Sequence, residues 1–235
     1  MEPRKSPPPP RRNRIDIIED LPRDAEWRIT DVQTQRKRAE RRSIFVNGEF
    51  AFGISEEMYV KHALFNGRVL TRQFLEEVLG EEERYQARQV ALRFVNRRMR
   101  SLQEIEKKLA EREFTSDIIT DTVAFLREYN LVDDANFARA YVNDQLLRRP
   151  IGRRRLQMEL QKKGVDRDQV GTILGALVDD AGELANAMAA AEKKLPTLKG
   201  DDPRKRERSL ATFLTSRGFG WDVIKQVIAE MRDKG

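Results

Sequence analysis

The chain contains no cysteine, and that one absence removes disulfides, thiolate catalysis and cysteine-based zinc sites together. Histidine occurs once, as His62 in EEMYVKHALFNG, which leaves no paired-histidine metal motif and no nucleophile with a histidine base. At the end of a predicted helix that lone imidazole reads as a partner for the helix C-terminal dipole. There is no glycine-rich phosphate loop, no apolar run long enough to span a bilayer, and nothing of signal-peptide form. Aromatic residues are 7% of the chain, so base-stacking platforms are thin; Tyr141 is the nearest to the basic stretches and reads as core. Asp133-Asp134 invites a metal reading, but two adjacent carboxylates between helices fit capping, with Asp134 before ANFARAYV in that role. Catalysis, metal and cofactor all lack a constellation, and a cytoplasmic, non-enzymatic protein without cofactors is expected.

What is abundant is charge. Charged residues make up 36% of 235 residues, with 45 Lys and Arg against 39 Asp and Glu, a net of +6. The sequence pI near 9.6 favours polyanionic partners. The surplus is not spread evenly. RRPIGRRRLQMELQKKGV (148–165) holds seven basic side chains against one acid, Glu159, and so carries a net +6 by itself.

Residues 1–24, with RKSPPPPRRNR, have a composition that predicts a disordered basic tail, and order is expected from Trp27. In RRSIFVNGEFAFGIS the residues Ile44, Val46, Phe50 and Phe52 alternate around Asn47-Gly48, a hairpin signal that WRITDVQ (27–33) can extend to a small antiparallel sheet. Ser55 is expected to cap a helix running to about Ala63 that Asn66-Gly67 ends, and Thr71 another to about Leu79.

Beyond Glu81 a helical repeat takes over. LAEREFTSDIITDTVAFL (109–126), LQKKGVDRDQVGTILGAL (160–177) and LTSRGFGWDVIKQVIAEM (214–231) align without gaps. A leucine (Leu109, Leu160, Leu214) is followed by a base (Arg112, Lys163, Arg217), an apolar residue (Phe114, Val165, Phe219) and a first-turn aspartate (Asp117, Asp168, Asp222). Gly164 and Gly218 supply left-handed helix ends, and Thr115, Asp166 and Gly220 are N-cap candidates. The recurring aspartate meets the helix dipole and is structural. Upstream helices are predicted in ARQVALRFVNRR (87–98) and ANFARAYVNDQLLRR (135–149); Ser101 with Glu104 forms a capping box whose N-cap slot is Gly152 in the second repeat. The loop PTLKGDDP (196–203) interrupts the third. The expected divisions are a tail (1–24), a hairpin-plus-helices extension (25–80) and three-helix repeats at 84–132, 133–179 and 180–235.

With Gly152 as N-cap, Arg153, Arg154 and Arg155 fill a first turn where cations are disfavoured by about 0.3–1 kcal/mol each. Free N–H groups, the dipole and three guanidinium groups are then expected to converge on one spot suited to an anion. Arg148, Arg149, Lys162, Lys163, Arg97 and Arg98 would extend that surface, and Arg204, Lys205, Arg206 and Arg208 form a weaker second basic island.

RRMRSLQEIEKKL followed by LVDDANFARAYVNDQLLRRPIGRRRLQMELQKKGV closely resembles the RecX family, bacterial regulators of the recombinase RecA. The resemblance rests on Asp133, Asp134, Phe137, Ala138, Tyr141, Gly152, Glu159, Leu160, Lys163 and Gly164, and NGEFAFGISEEMYVKHALFNGRVL is similar to the hairpin-bearing extension of some members. It spans roughly residues 27–235. It implies a mainly α fold, tandem three-helix repeats in an elongated curved array. It also implies a non-enzymatic modulator in the groove of the RecA filament on DNA, where it suppresses ATP hydrolysis and strand exchange; no heptad seam or long apolar patch argues for a stable homo-oligomer, so a monomer is expected. The proline-rich tail departs from the family pattern, as does ANAMAAAEKK, which stands where the third repeat would carry the aromatic motif. The rival reading is a sequence-nonspecific DNA-binding protein with no recombinase partner.

Overall fold

The computed structural model describes residues 14–21, 26–36, 38–198 and 202–233. The proline-rich stretch and the centre of the 196–203 loop lie outside them. The chain divides into two compact units. One takes in the chain up to Arg93 with Lys108–Phe125; the other takes in Phe94–Lys107 and everything from Leu126 on.

The first unit is built on a four-stranded antiparallel sheet. Its strands are β1 (Trp27–Gln35), β2 (Arg38–Val46), β3 (Glu49–Ser55) and β4 (Val69–Leu70), in the order β3-β2-β1-β4. The expected hairpin is present: Asn47 and Gly48 adopt φ of 52° and 90°, the positive values a type I′ turn requires, and Val46 pairs with Glu49. One apolar position differs from expectation. A register shift beside Ile44 pairs Phe45 with Phe50 and Ile44 with Phe52, so Phe52 is buried while Phe50 is turned outward against Phe45.

Order also begins earlier than expected. A short helix, α1 (Arg14–Glu19), precedes the sheet, and Ile18 and Leu21 are buried in the same core as Trp27, Ile29, Ile44 and Ile54. Those apolar residues offset the tail composition locally, since their burial stabilises what the flanking prolines and arginines do not.

The helix α2 (Glu56–Lys61) starts at Ser55, whose hydroxyl accepts from the Met58 N–H. It stops sooner than expected, because Ala63 already takes a left-handed φ of 47°. His62 is its C-cap residue, and its Nε2 lies 2.9 Å from the Glu81 carboxylate. The largest departure is α3 (Arg72–Val95), one continuous helix where a break near residues 80–84 was expected. Glu82, 3% exposed, explains the continuity: its carboxylate takes Arg41 Nη1 at 2.8 Å and both the N–H and hydroxyl of Ser55, which fastens mid-helix to the sheet. No glycine or proline is placed to stop the run, as Gly80 is buried inside it.

The remaining helices are α4 (Leu102–Ala110), α5 (Ser116–Glu128), α6 (Asp134–Arg148), α7 (Arg153–Gln161), α8 (Arg167–Leu177), α9 (Asp180–Lys194), α10 (Pro203–Ser216) and α11 (Trp221–Asp233). A one-turn 3₁₀ segment, Leu195–Thr197, follows α9. The second unit holds two apolar cores. Phe137, Val142, Leu156, Leu160, Val165 and Leu174 unite α6, α7 and α8; Ala187, Ala191, Leu210, Leu214, Phe219 and Ile224 unite α9, α10 and α11. The small-residue stretch of the third repeat is thus core, with Glu183 at the place where the second repeat buries Phe137 and Ala187 at that of Tyr141. Gly164 and Gly218 have φ of 84° and 88°, as the helix-ending reading required. At the matching place of the first repeat the same left-handed conformation is held by Glu113, φ 62°.

Candidate polyanion-binding surface

The first turn of α7 is capped by Gly152, which offers no side-chain bond. The expectation that its N–H groups are free is overturned. Gly152 N–H donates to the Arg217 carbonyl at 3.1 Å, Arg154 N–H to the Gly218 carbonyl at 3.2 Å and Arg153 N–H to the Glu183 carboxylate at 3.1 Å. The anion that the helix terminus favours is supplied by the chain itself. Glu183 is 5% exposed, and Arg153 meets it through its side chain as well, while also bonding Asp180 and the Val178 carbonyl. Arg153 is therefore an internal strut and leaves the candidate surface.

The same joint occurs one repeat earlier. Leu102, the first residue of α4, donates its N–H to the Asp134 carboxylate at 2.9 Å. Contrary to expectation, Asp134 is not the cap of its own helix; Asp133 is, accepting from Ala135 and Asn136. Asp134 reaches back to cap the preceding repeat, and burial raises its pKa against the lowering pull of that bond. Asp179 and Asp180 occupy the equivalent pair before α9, with Asp179 as the cap. Val-Asp-Asp recurs at 132–134 and 178–180, but in the second joint Asp180 meets only the Arg153 side chain, and the helix N–H is taken by Glu183, three residues further on.

The other predicted cations divide into two groups. Arg148 pairs with Asp144. Arg149 and Arg155 both pair with Glu159, at 3.2 and 2.8 Å, and Glu159 also accepts from the Tyr141 hydroxyl at 2.9 Å. Burial would raise the Glu159 pKa, but the hydrogen bonds from Arg155 and Tyr141 outweigh it and hold the carboxyl below its ordinary value. In return, burial and the carboxylate beside it push the Tyr141 hydroxyl up to about 12. Arg98 and Lys163 converge on Glu104, each at 3.2 Å, and Lys163 lies 5.3 Å from the centre of the Tyr141 ring. Glu104 thus completes only half of the expected capping box: its N–H bonds the Ser101 hydroxyl, while its carboxylate serves the two cations.

Exposed and without a salt-bridge partner among the described residues are Arg97, Arg154, Lys162, Arg204, Lys205, Arg206 and Arg208. The last four lie in the first two turns of α10, whose terminal N–H groups at Arg204 and Lys205 are taken by Asp202. One further cation was not among the predicted site residues. Arg217, with Arg149, Ile151, Arg155 and Ser216, lines a recess of about 260 Å³. The recurring base at this place of the repeat was its only sequence signal. No cluster able to hold a metal ion occurs among the described residues, and none of their helices is long and apolar enough to cross a membrane.

The chain matches the model of the regulatory protein RecX N-terminal domain over residues 27–71. It matches those of the first, second and third RecX three-helix domains over 87–126, 133–174 and 181–228. It is 30% identical over 205 residues to the regulatory protein RecX of Clostridium botulinum (strain Eklund 17B / Type B), covering 86% of this chain and 95% of that one. To that of Clostridium perfringens (strain 13 / Type A) it is 30% identical over 206 residues, covering 87% and 96%. A crystal structure of regulatory protein RecX superposes with a TM-score of 0.67 at 22% identity, covering 86% of this chain and 98% of the other. That of RecX from Lactobacillus salivarius gives 0.60 at 24% identity, covering 65% and 98%.

Proposed function

The chain belongs to the RecX family of regulatory proteins, and on that premise we propose that it is a non-enzymatic regulator of the recombinase RecA. In this reading the three-helix repeats bind the RecA filament on DNA and restrain ATP hydrolysis, filament extension and strand exchange, within cytoplasmic recombination repair and the SOS response. The protein acts as a monomer.

The observation that carries the reading is the division of charge. Arg148, Arg149, Arg153, Arg155 and Lys163 are neutralised by the chain's own carboxylates. Arg154, Lys162, Arg97 and the basic start of α10 are not, and that residue of positive charge suits a surface of phosphates or acidic side chains. The same exposed cations support the second reading, a DNA-binding protein that acts on the lattice without touching the recombinase.

ATP hydrolysis by the cognate RecA on single-stranded DNA, with substoichiometric protein and excess competitor DNA, separates them. Hydrolysis that falls and stays low when DNA is added is the expected result. An effect that competitor DNA abolishes would transfer the function to the second reading.

A further inference from the structure

The two repeat joints of the second unit use equivalent positions with different charges. In the first joint the third residue of α4 is Glu104, and its carboxylate sits between Arg98, from before α4, and Lys163, from the end of α7. Advancing one repeat turns these three places into Arg155, Arg149 and Arg217. A cation–carboxylate–cation triad has become three guanidinium groups, and they line the recess of about 260 Å³. The backbones still meet tightly there. A Cβ added to Gly218 would lie 2.3 Å from Arg155 Cβ, and one added to Gly152 would lie 2.3 Å from the Gly218 carbonyl oxygen.

Glu159 offsets part of this charge, but unevenly. It bonds Arg149 and Arg155 and has no bond to Arg217, whose guanidinium lies instead over the Phe213 ring at 5.1 Å and forms no ion pair among the described residues. The recess therefore keeps a surplus of two charges. Its unused donors include both Nη groups of Arg155 and the whole Arg217 fork, while the Ser216 hydroxyl is spent on the Phe213 carbonyl at 2.7 Å. Many donors approaching from three chain segments match the tetrahedral oxygens of a phosphodiester better than the two coplanar oxygens of a carboxylate.

We infer that this recess, lined by Arg149, Arg155 and Arg217 between the second and third repeats, binds a backbone phosphate of single-stranded nucleic acid where the preceding joint holds its own glutamate. The inference rests on the proposed function only for where that strand is met; the phosphate site itself is independent of RecA.

Two variants test it in the full-length protein, with Arg167→Ala and Arg167→Glu as the charge-matched controls outside the recess for Arg217→Ala and Arg155→Glu respectively. Arg217→Ala removes the donor that Glu159 leaves unused. Arg155→Glu restores the carboxylate of the first joint and places an acid in a helix first turn, where the dipole favours it. Affinity is read by fluorescence anisotropy with a labelled oligothymidylate, and with the same oligonucleotide carrying one stretch of uncharged methylphosphonate linkages. Each variant should lose about tenfold in affinity relative to its control. The melting temperature of Arg217→Ala, which removes no ion pair among the described residues, should stay close to that of the parent. The methylphosphonate stretch should cost the parent more than it costs Arg217→Ala.

Unchanged oligonucleotide affinity in both variants would overturn the phosphate assignment. If regulation of RecA hydrolysis were lost in those same variants, the recess would be taking a carboxylate of the recombinase instead. Reduced oligonucleotide binding in both variants, of a parent protein that leaves RecA hydrolysis untouched, would keep the site and remove the proposed function.

Discussion

Glu183 shows how one carboxylate decides which arginines are available. It is buried, it bonds both the backbone and the side chain of Arg153, and no other group caps the first N–H of α7. Asp180 touches the same arginine, yet its side chain is 97% exposed, where solvent screening leaves an ion pair little net worth. Glu183→Ala is therefore expected to cost about 2–4 kcal/mol by urea denaturation, because it strands a partly buried guanidinium and an orphan N–H. Asp180→Ala should stay within about 0.5 kcal/mol. Equal losses in the two variants would refute this assignment.

Glu104 makes a pH prediction at the same scale. Burial favours its neutral form, but hydrogen bonds from Arg98 and Lys163 outweigh burial and hold its pKa below the ordinary 4.5. A depressed carboxylate contributes stability that is complete above the unfolded value and disappears as pH falls through the folded one. Acid titration of the melting temperature should thus show a loss beginning below about pH 4.5 that is smaller in Glu104→Gln. An identical acid profile in the variant would exclude Glu104 as a source of that loss.

At the scale of the element, the left-handed helix ends separate conformation from contact. Gly218 needs both: its φ is 88°, and an added Cβ would strike the first turn of α7. Gly218→Ala is expected to cost about 2–4 kcal/mol, summing left-handed strain and overpacking. Glu113 holds the equivalent conformation without glycine, so Glu113→Gly should stabilise by up to about 1 kcal/mol in the same denaturation assay. A loss there would mean that the glutamate side chain contributes more than its backbone strain costs.

These ends were legible because caps, glycines and apolar spacing are local signals. Asp166, Gly164, Gly218 and the buried Phe114, Val165 and Phe219 all stand where the repeat placed them. The fusion of two expected helices into α3 was not legible. It depends on Glu82 meeting Arg41, 41 residues away, and a run of glutamates in sequence looks the same whether it is solvated or buried. The exposed Phe50 has a similar cause, since the register shift that turns it outward belongs to a strand pair and not to the alternation within one strand.

For the whole molecule, the sequence located the charge but could not say which charges were spent. Arg153 is neutralised by Glu183 from 30 residues away and Lys163 by Glu104 from 59, separations at which no local pattern reports pairing. What is left over should govern how salt acts. If about six phosphates are neutralised, log affinity for single-stranded DNA should fall against log salt with a slope near −4. Reversing Arg204, Lys205, Arg206 and Arg208 to glutamate should make that slope shallower by about 3 units. Reversing Arg148, whose charge Asp144 already meets, should change it by well under one unit. Regulation of RecA that rests on filament contacts should persist at salt where the parent protein no longer holds naked DNA. Regulation that vanishes at the same salt as DNA binding would mean that phosphate attraction alone accounts for the activity, and the recombinase would no longer be needed as a direct partner.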